Sequence, residues 1–296
     1  MADEQFNYKN VYDLKASDFN TDIRPTWCSG CGNFGIWNAI KKAFVELELQ
    51  PYKVLVVFGI GCSGNGTNFL KTYAFHALHG RALPVATGAK LANHNLKVIV
   101  MGGDGDGAGI GGNHFMHTCR RNLDMTYIMH DNRVYGLTTG QASPTSDKGF
   151  KAKSTPYGVL EEPVNPVLLA LSSGATFVAR GFSLEIKNLT EIMVQAMLHR
   201  GFSFIDVLQP CVTFNKQDTY EYYKQRVYKL DDQENYDKSN LLEAIKKSIE
   251  KEKIPIGIFY QVEKPTYEDG LKQIKDKALV DYDISSINIS NLLENY

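Results

Sequence analysis

Residues 96–112 read LKVIVMGGDGDGAGIGG, a mostly apolar, β-branched run followed at once by a glycine-rich turn. Such a run predicts a strand buried on both faces, as in a parallel sheet covered by helices. The glycines allow backbone amides to approach an anionic ligand closely. Asp104 adds a carboxylate oxygen at the same place. The stretch therefore predicts a diphosphate-binding turn at the carboxyl end of a buried strand.

Short apolar runs of the same kind recur along the chain, and amphipathic helical patterns lie between several of them. The predicted strands are residues 53–58, 96–101, 125–130, 175–180 and 203–208. The predicted helices are residues 33–47, 69–78, 84–93, 111–121 and 184–200. This alternation predicts an α/β fold, a doubly wound and mainly parallel sheet with helices on both faces.

The composition changes after Cys211, where Lys, Glu, Asp, Tyr and Asn become frequent. We predict a diphosphate-binding domain over residues 1–215 and a peripheral C-terminal extension over residues 216–296, outside the central sheet. The extension is either a solvated helical tail or a flap over a cofactor or a partner subunit. Residues 141–166 contain several prolines and many polar residues, which predicts a long loop.

Composition excludes some classes of partner. The chain carries 32 Lys and Arg against 33 Asp and Glu, so no excess charge favours nucleic acid or an anionic membrane. No apolar run is long enough to span a bilayer, and the polar, acidic N-terminus is unlike a secretory signal. We therefore expect a cytoplasmic protein. Its 5 cysteines favour metal or redox chemistry over disulfides.

A second polar cluster follows the next predicted strand, which ends at Asp131 and Asn132. Carboxyl ends of neighbouring parallel strands lie at one edge of a sheet, so oxygen ligands from both should meet there. We predict a Mg²⁺ site formed by Asp104, Asn132 and a nearby carbonyl such as that of Val134. A purely structural turn, or a dinucleotide site, would also explain the glycines taken alone.

Four cysteines are candidates for one metal site. Cys28 and Cys31 form a C-x-x-C pair before the first helix. Cys62 follows the first predicted strand, and Cys211 follows the last. Four thiolates bind either a [4Fe-4S] cluster or Zn²⁺, and the spacing, which also fits unrelated buried cysteines, does not decide. Cys119 lies in a predicted helix and is interpreted as a small buried hydrophobe. A thioredoxin-type pair is disfavoured because no clear strand precedes it.

Several segments together carry a family resemblance. They read WCSGCG, FGIGCSG, HALHGRALPVATGAKLAN, VMGGDGDGAGIGGNHF, HDNRVYGLTTGQASPT and FIDVLQPCVTFN. The GDG turn followed by Asn132 is similar to the thiamine-diphosphate motif. Over most of residues 24–216 the sequence resembles the beta subunits of 2-oxoacid:ferredoxin oxidoreductases.

The resemblance implies CoA-dependent oxidative decarboxylation of a 2-oxoacid to an acyl-CoA and CO₂, with ferredoxin as electron acceptor. It implies thiamine diphosphate with Mg²⁺ at Asp104, Asn132 and Val134. It also implies a [4Fe-4S] cluster on Cys28, Cys31, Cys62 and Cys211. The chain has no obvious room for the pyrimidine-binding domain of such enzymes, so we expect that an alpha subunit carries it.

The same resemblance assigns a set of residues to the cofactor site. His79 is the candidate for assisting proton movements. The residues expected to bind the cofactor are Ile60, Gly61, Cys62, Ser63, His79, Gly103, Asp104, Gly105, Asp106, Asn132, Val134, Gly136, Leu137 and Thr138.

Departures from the family bear on the substrate. Relatives often carry lysine in the segments aligned with GCSGN and GLTTGQ, where this chain has Asn65 and Thr139. A lysine there could attract the distal carboxylate of 2-oxoglutarate. We therefore expect pyruvate or 2-oxobutyrate to be favoured, with Thr139 on the substrate side. Ser29 stands where many members have proline, outside the ligands.

Two other functions stay open at this point. One is a non-redox thiamine-diphosphate decarboxylase or carboligase subunit with structural Zn²⁺ in the four-cysteine site. The other is a non-enzymatic electron-transfer or regulatory module whose GDG turn is only structural. Iron and sulfide analysis distinguishes the zinc-containing alternative from the redox enzyme. Thermal stabilisation by thiamine diphosphate with Mg²⁺ should be absent in the non-enzymatic module.

Overall fold

The structure is a computed structural model that describes residues 13–285 and 287–294. The strands are β1 (Val54–Phe58), β2 (Tyr73–His76), β3 (Lys97–Gly103), β4 (Met125–Asp131), β5 (Val134–Tyr135), β6 (Gln141–Ala142), β7 (Phe177–Phe182), β8 (Phe202–Leu208), β9 (Val227–Lys229) and β10 (Ile254–Gln261). The α-helices are α1 (Asn33–Glu46), α2 (Ala82–Ala92), α3 (Gly112–Arg121), α4 (Pro166–Ser172), α5 (Ile186–Leu198), α6 (Tyr220–Lys224), α7 (Leu241–Ser248) and α8 (Ser290–Leu293).

Eight of these strands form one sheet in the order β2-β1-β3-β4-β8-β7-β10-β9. Neighbours run parallel except for β7 and β10, which are antiparallel. The carboxyl ends of β1, β3, β4 and β8 therefore lie at one edge, where ligands bind in open α/β sheets.

Two apolar cores cover the two faces of the sheet. Ile99 and Met101 of β3 pack in the core that α1 and α5 cover. Val98 and Val100 of the same strand pack in the opposite core, with α2, α3 and α4. This alternation explains why the predicted strands are apolar at nearly every position, since both faces are buried. The predicted α/β fold class is confirmed.

One predicted helix is wrong. The apolar spacing of residues 69–78 predicts a helix, but Tyr73–His76 form β2. This strand pairs in parallel with β1 at the end of the sheet, and all four of its residues are exposed. The sheet supplies backbone hydrogen-bonding partners at this edge, and they outweigh a short apolar repeat.

The C-terminal region differs in part from its prediction. It lies at the periphery, but the expectation that it stays outside the sheet is wrong, because β10 pairs with β7 and β9 with β10. The long loop predicted for residues 141–166 is present, with β6 at its start and α4 beginning at Pro166.

Gly35 fixes the position of α1, the helix that follows the C-x-x-C pair. A Cβ at this residue would stand 1.9 Å from the backbone carbonyl oxygen of Ser183. Ser183 cannot retreat easily, because its N–H donates to the carbonyl of Leu208 at 3.1 Å. Only glycine therefore allows α1 to approach the segment that follows β7 this closely.

We expect Gly35→Ala to lower the free energy of unfolding by about 3 kcal/mol, since the added methyl group meets backbone that is already bonded. Gly88→Ala is the matched control, because Gly88 is also helical and a Cβ there would meet nothing within 4 Å. That control should gain up to about 1 kcal/mol from helix propensity. Urea denaturation of both variants checks the pair, and equal stabilities would contradict the packing argument.

Candidate functional site

The GDG turn joins β3 to α3 through a π-helical segment, Gly105–Ile110. Aromatic rings from β4 and β5 lie against this segment. A Cβ at Gly105 would stand 2.3 Å from the ring of Tyr135, and one at Gly107 would stand 1.7 Å from the hydroxyl of Tyr127. Glycine is required at both positions because the rings fill the space of a side chain.

Asp104 shares one hydrogen-bond donor with another buried carboxylate. The hydroxyl of Thr145 lies 2.6 Å from Asp104 Oδ2 and 2.8 Å from Asp131 Oδ1. A hydroxyl has one proton, so it donates to only one of them at a time. Two acidic groups thus compete for one donor in a buried position.

The pKa values reflect that competition. Burial raises the pKa of Asp104 above its ordinary value, while hydrogen bonds from Ser143 and Thr145 oppose the shift. Burial, followed by the negative charges of Asp206 and Asp104, raises the pKa of Asp131 well above its ordinary value. A cation beside Asp104 would remove this cost. The local chemistry therefore fits a divalent metal ion.

Asn132, directly after β4, is held by both ends of its amide. Its Oδ1 accepts from the N–H of Val134 at 3.1 Å, and its Nδ2 donates to Gln209 Oε1 at 2.9 Å. The side-chain oxygen therefore faces the segment that carries Val134. Asp104, Asn132 and Val134 line the same cleft.

That cleft has a cavity volume of about 90 Å³. All the residues predicted to bind the cofactor line it. The structure brings them together, and their contacts with a cofactor stay a prediction.

Tyr135 also lines the cleft and was missed in the sequence. Its hydroxyl donates to the carbonyl of Gly105 at 3.0 Å. Its ring meets the ring of His79 edge to face, with centroids 6.1 Å apart. Tyr135 lies in the sequence between Val134 and Gly136, which are both predicted to bind the cofactor, and this position indicates a place in the site.

Asp106 organises the loops around the cleft. One of its oxygens, Oδ1, accepts from the N–H of Ile60 at 3.0 Å and from the N–H of Gly80 at 2.8 Å. The Nε2 of His79 lies 3.7 Å from the same oxygen. Asp106 thus connects the segment after β1, the segment before α2 and the GDG turn. Asp106 therefore supports His79 and the cleft wall, and its contact with a cofactor stays a prediction.

The four predicted cysteine ligands converge beside this cleft. Burial is the largest cause of a rise in the pKa of the Cys31 thiol to about 12, and repulsion from the other three cysteines adds to it. A Cβ at Gly136 would stand 3.4 Å from Cys62 Sγ and 3.8 Å from Cys211 Sγ. Cys62 and Gly136 also line the cleft. The cysteines and the GDG turn therefore border on each other.

The cysteines are not gathered for a single ion. Among the described residues, no three His, Cys, Asp or Glu side chains are placed to hold one metal ion. A [4Fe-4S] cluster is larger than one ion, so the thiolates that bind it stand further apart. Cys119 lies apart in α3, buried in the core with α2 and α4, in agreement with its interpretation as a small hydrophobe.

Two family models match the chain, and together they cover most of it. Residues 59–207 match the C-terminal TPP binding domain of thiamine pyrophosphate enzymes, thiamine pyrophosphate being another name for thiamine diphosphate. Residues 211–276 match the C-terminal region of the pyruvate ferredoxin oxidoreductase beta subunit.

Curated relatives agree with these matches. The chain is 51% identical over 269 residues to a 2-oxoacid:ferredoxin oxidoreductase subunit beta from Sulfolobus sp., covering 86% of this chain and 88% of the relative. It is 48% identical over 276 residues to the beta subunit of 2-oxoacid:ferredoxin oxidoreductase 1 from Aeropyrum pernix, covering 90% and 87%. The chain belongs to the 2-oxoacid:ferredoxin oxidoreductase beta subunits.

A solved structure extends the comparison. The 2-oxoglutarate:ferredoxin oxidoreductase from Magnetococcus marinus, with 2-oxoglutarate, coenzyme A and succinyl-CoA bound, superposes with a TM-score of 0.88 at 39% identity and covers 96% of both chains. The predicted family is confirmed, and the chain is a subunit of an enzyme complex. A 2-oxoglutarate oxidoreductase subunit KorB from Mycobacterium tuberculosis is 47% identical over 201 residues, covering 68% of this chain and 54% of that one.

Asn65 and Thr139 are the two positions predicted to bear on the choice of substrate. Neither Asn65 nor Thr139 is among the residues that line the cleft, although Thr138 is. Thr139 is exposed and has a φ of 78°, in a turn closed by its N–H to the carbonyl of Gly136 at 3.1 Å. Its role toward the substrate stays a prediction.

His130 makes the stability of this beta subunit sensitive to acid. It is buried at the end of β4, with Nδ1 2.8 Å from Asn33 Oδ1. Burial lowers its pKa from the ordinary 6.5 to about 3. The folded pKa lies below the unfolded one, so the unfolded chain binds the extra proton more readily. The free energy of unfolding therefore falls as the pH drops below 6.5.

We expect His130→Gln to lessen this loss. Between pH 7 and pH 5 the free energy of unfolding should fall by about 2 kcal/mol less than in the wild type, the contribution of one such histidine. Urea denaturation at the two pH values measures the difference. An equal fall in both proteins would contradict a neutral, buried His130.

Within residues 13–285 and 287–294, none of the helices combines the length and the apolar character needed to cross a bilayer.

Proposed function

We propose that this beta subunit binds thiamine diphosphate with Mg²⁺ in the GDG cleft and a [4Fe-4S] cluster between Cys28, Cys31, Cys62 and Cys211. With an alpha subunit it would oxidise a 2-oxoacid to an acyl-CoA and CO₂, and reduce ferredoxin. The observation that carries the proposal is the common border of the two sites. Cys62 and Gly136 both line the cleft, and a Cβ at Gly136 would stand within 4 Å of Cys62 Sγ and Cys211 Sγ.

The bound groups would supply an electron sink for decarboxylation and a one-electron acceptor beside it. The chain's own residues would position and polarise the substrate and the bound groups. Asp104, Asn132 and the carbonyl of Val134 would hold Mg²⁺, since Asp104 is a buried carboxylate whose side-chain donors Ser143 and Thr145 are uncharged. The backbone amides of the glycine turn would meet the diphosphate.

His79 would hold or move a proton at the cleft. It lines the cleft and lies 3.7 Å from Asp106, a buried carboxylate fixed by two backbone amides. The ring of Tyr135 limits its movement on the other side. A half-exposed imidazole held in this way can exchange protons with water and with a bound substrate.

Residues 1–215 would form the cofactor domain, with residues 216–296 as an extension against the cluster or the partner. One contact supports this arrangement of the two regions. The hydroxyl of Tyr220, in α6, donates to the carbonyl of Gly30 at 3.0 Å. Gly30 lies between Cys28 and Cys31, so the extension touches the C-x-x-C loop.

Coenzyme A as co-substrate, ferredoxin as acceptor and an alpha subunit as partner are part of the proposal. The names of the Sulfolobus and Aeropyrum relatives support ferredoxin and a multi-subunit enzyme. The Magnetococcus marinus structure supports coenzyme A, which it contains. A cytoplasmic location is consistent with this redox chemistry.

The experiment is to purify the chain with its alpha subunit without oxygen, and to measure iron, sulfide and 2-oxoacid-dependent ferredoxin reduction. Iron with sulfide and CoA-dependent ferredoxin reduction is the expected result. Zinc without iron, together with decarboxylation that needs no ferredoxin, would favour the non-redox alternative.

Pyruvate or 2-oxobutyrate is the proposed substrate, since Asn65 and Thr139 offer no cation to a distal carboxylate. 2-Oxoglutarate is the second candidate, because the Magnetococcus marinus enzyme contains it and KorB relatives are similar.

We expect Thr139→Lys to shift the ratio of kcat/KM toward 2-oxoglutarate by about tenfold, the value of a charge-assisted hydrogen bond of roughly 1.5 kcal/mol. Ser172→Lys, an exposed change in α4, is the control for added charge. Steady-state rates with pyruvate and 2-oxoglutarate measure the ratio. A wild type that already prefers 2-oxoglutarate would overturn the substrate assignment.

A further inference from the structure

Gln209, the residue after β8, connects the two proposed sites through one side chain. Its Nε2 lies 3.3 Å from Cys31 Sγ and donates to it. Its Oε1 accepts from Asn132 Nδ2 at 2.9 Å. The side chain is buried, with 1% of its surface exposed. No other single side chain in the described residues is recorded in hydrogen bonds with both Cys31 and Asn132.

The bond to Asn132 fixes the orientation of that amide. An amide has one oxygen and one NH₂ group. Gln209 Oε1 accepts only, so it selects Nδ2 and leaves Asn132 Oδ1 turned toward Val134. An oxygen in that orientation is what a hard cation requires.

The hydrogen bond to Cys31 would change the relative stability of the oxidised and reduced states of the cluster. An N–H donor placed on a cluster-ligating sulfur stabilises the more negative, reduced state, and such bonds are among the factors that set the reduction potential of iron-sulfur clusters. The donor is directed firmly, because Gln209 Nε2 also donates to the carbonyl of Pro210 at 3.2 Å. The backbone N–H of Gln209 is itself bonded to the carbonyl of Asp131 at 2.9 Å.

The chain leaves space for this side chain. A Cβ at Gly32, the residue after Cys31, would stand 2.8 Å from Gln209 Cγ and 3.2 Å from its Cα. Gly32 N–H donates to the carbonyl of Pro210 at 3.2 Å, which holds the two segments together. The glycine that ends the C-x-x-C-G sequence is therefore explained by the passage of Gln209.

We propose that Gln209 is a positioning residue for both centres: it raises the reduction potential of the cluster through Cys31, and it orients Asn132 for Mg²⁺. The inference rests on the proposed function, since it takes Cys31 and Asn132 as ligands. What it adds is that one buried amide side chain affects both the reduction potential of the cluster and the orientation of the Mg²⁺ ligand Asn132.

The test uses the complex with its alpha subunit, purified without oxygen, as wild type, Gln209→Met and Gln209→Glu. Gln209→Met keeps the volume and loses both hydrogen bonds. Gln209→Glu keeps an oxygen for Asn132 and replaces the donor to Cys31 by an acceptor. Gln195→Met, at an exposed position of α5, is the control for the chemical change.

Two quantities are measured: the midpoint potential of the cluster by reductive titration with electron paramagnetic resonance, and the Kd of thiamine diphosphate at a series of Mg²⁺ concentrations. Gln209→Met should lower the potential and weaken Mg²⁺-dependent binding by roughly tenfold, as losses of supporting contacts around metal ligands do. Gln209→Glu should lower the potential while its Kd stays near that of the wild type.

The outcomes separate this inference from its premise. Wild-type protein without iron would overturn the cluster assignment, and with it the role at Cys31. Variants with the wild-type iron content, potential and Kd would show that Gln209 only fills space, and would overturn the inference alone. If Gln209→Met does not fold, Gln209→Glu still decides the matter through its potential.

Discussion

Asp104→Asn is expected to abolish Mg²⁺-dependent binding of thiamine diphosphate while making the cofactor-free protein more stable. The two effects have one cause. Asp104 and Asp131 are buried carboxylates that compete for the single proton of Thr145. Replacing one carboxylate by an amide removes their repulsion in the absence of metal, and also removes the charge that a cation needs.

The loss of binding should be at least a hundredfold. At a cofactor concentration of 100 times the Kd, a bound ligand stabilises the native state by about 2.7 kcal/mol, and that stabilisation should disappear in Asp104→Asn. Thermal unfolding with and without thiamine diphosphate and Mg²⁺ measures both effects in one series. Asp231→Asn, an exposed acidic residue distant from the GDG turn in sequence, is the control.

Asp104→Asn that binds the cofactor as the wild type does would remove Asp104 from the metal site. Reduced stability without cofactor would mean that the Asp104 carboxylate is needed for folding. The raised pKa of Asp131 would stand in either case, because burial is its largest cause and Asp206 contributes more than Asp104.

The central strands were predictable because each one is buried on both faces. Burial selects β-branched and apolar residues along the whole length of β3 and β4. This apolar run can be recognised in the sequence even when the neighbouring strands are unknown. The edge strand β2 lacks this constraint, and the apolar spacing of its residues predicts a helix instead. The strand β10 carries the alternating Ile254, Ile256 and Ile258, but it lies in a region of charged composition, where so short a period is a weak strand signal.

The site was predictable to the extent that its residues stand in short motifs. The GDG turn, Asn132 and the C-x-x-C pair each carry a recognisable spacing. The contacts that support them join distant segments, and no local spacing encodes these. Gln209 is 178 positions from Cys31 and 77 from Asn132. Thr145 is 41 positions from Asp104. Such partners follow from the packing of the sheet edge and become visible only when the strands are assembled.

Cys31→Ser provides the second large effect, since Cys31 is the most enclosed of the four proposed cluster ligands. A buried thiol with a pKa near 12 is costly to ionise, and an iron centre offsets that cost by binding the thiolate directly. A serine hydroxyl is a poor substitute, because it is far harder to deprotonate and is a harder ligand. We expect Cys31→Ser to lose most of its iron and at least 99% of ferredoxin reduction, roughly a hundredfold effect.

Cys119→Ser is the matched control, because the same change is made at a cysteine that is also buried but lies in α3, away from the other four. It should keep the wild-type iron content and rate, and lose about 1–3 kcal/mol of stability from burying a hydroxyl in an apolar core. Iron and sulfide content, the visible spectrum and ferredoxin reduction distinguish the two variants. If both lost iron equally, the loss would reflect a general weakening of the fold. If neither lost iron, Cys31 could not be a ligand, and the four-cysteine site would have to be abandoned even though its sulfurs converge beside the cleft.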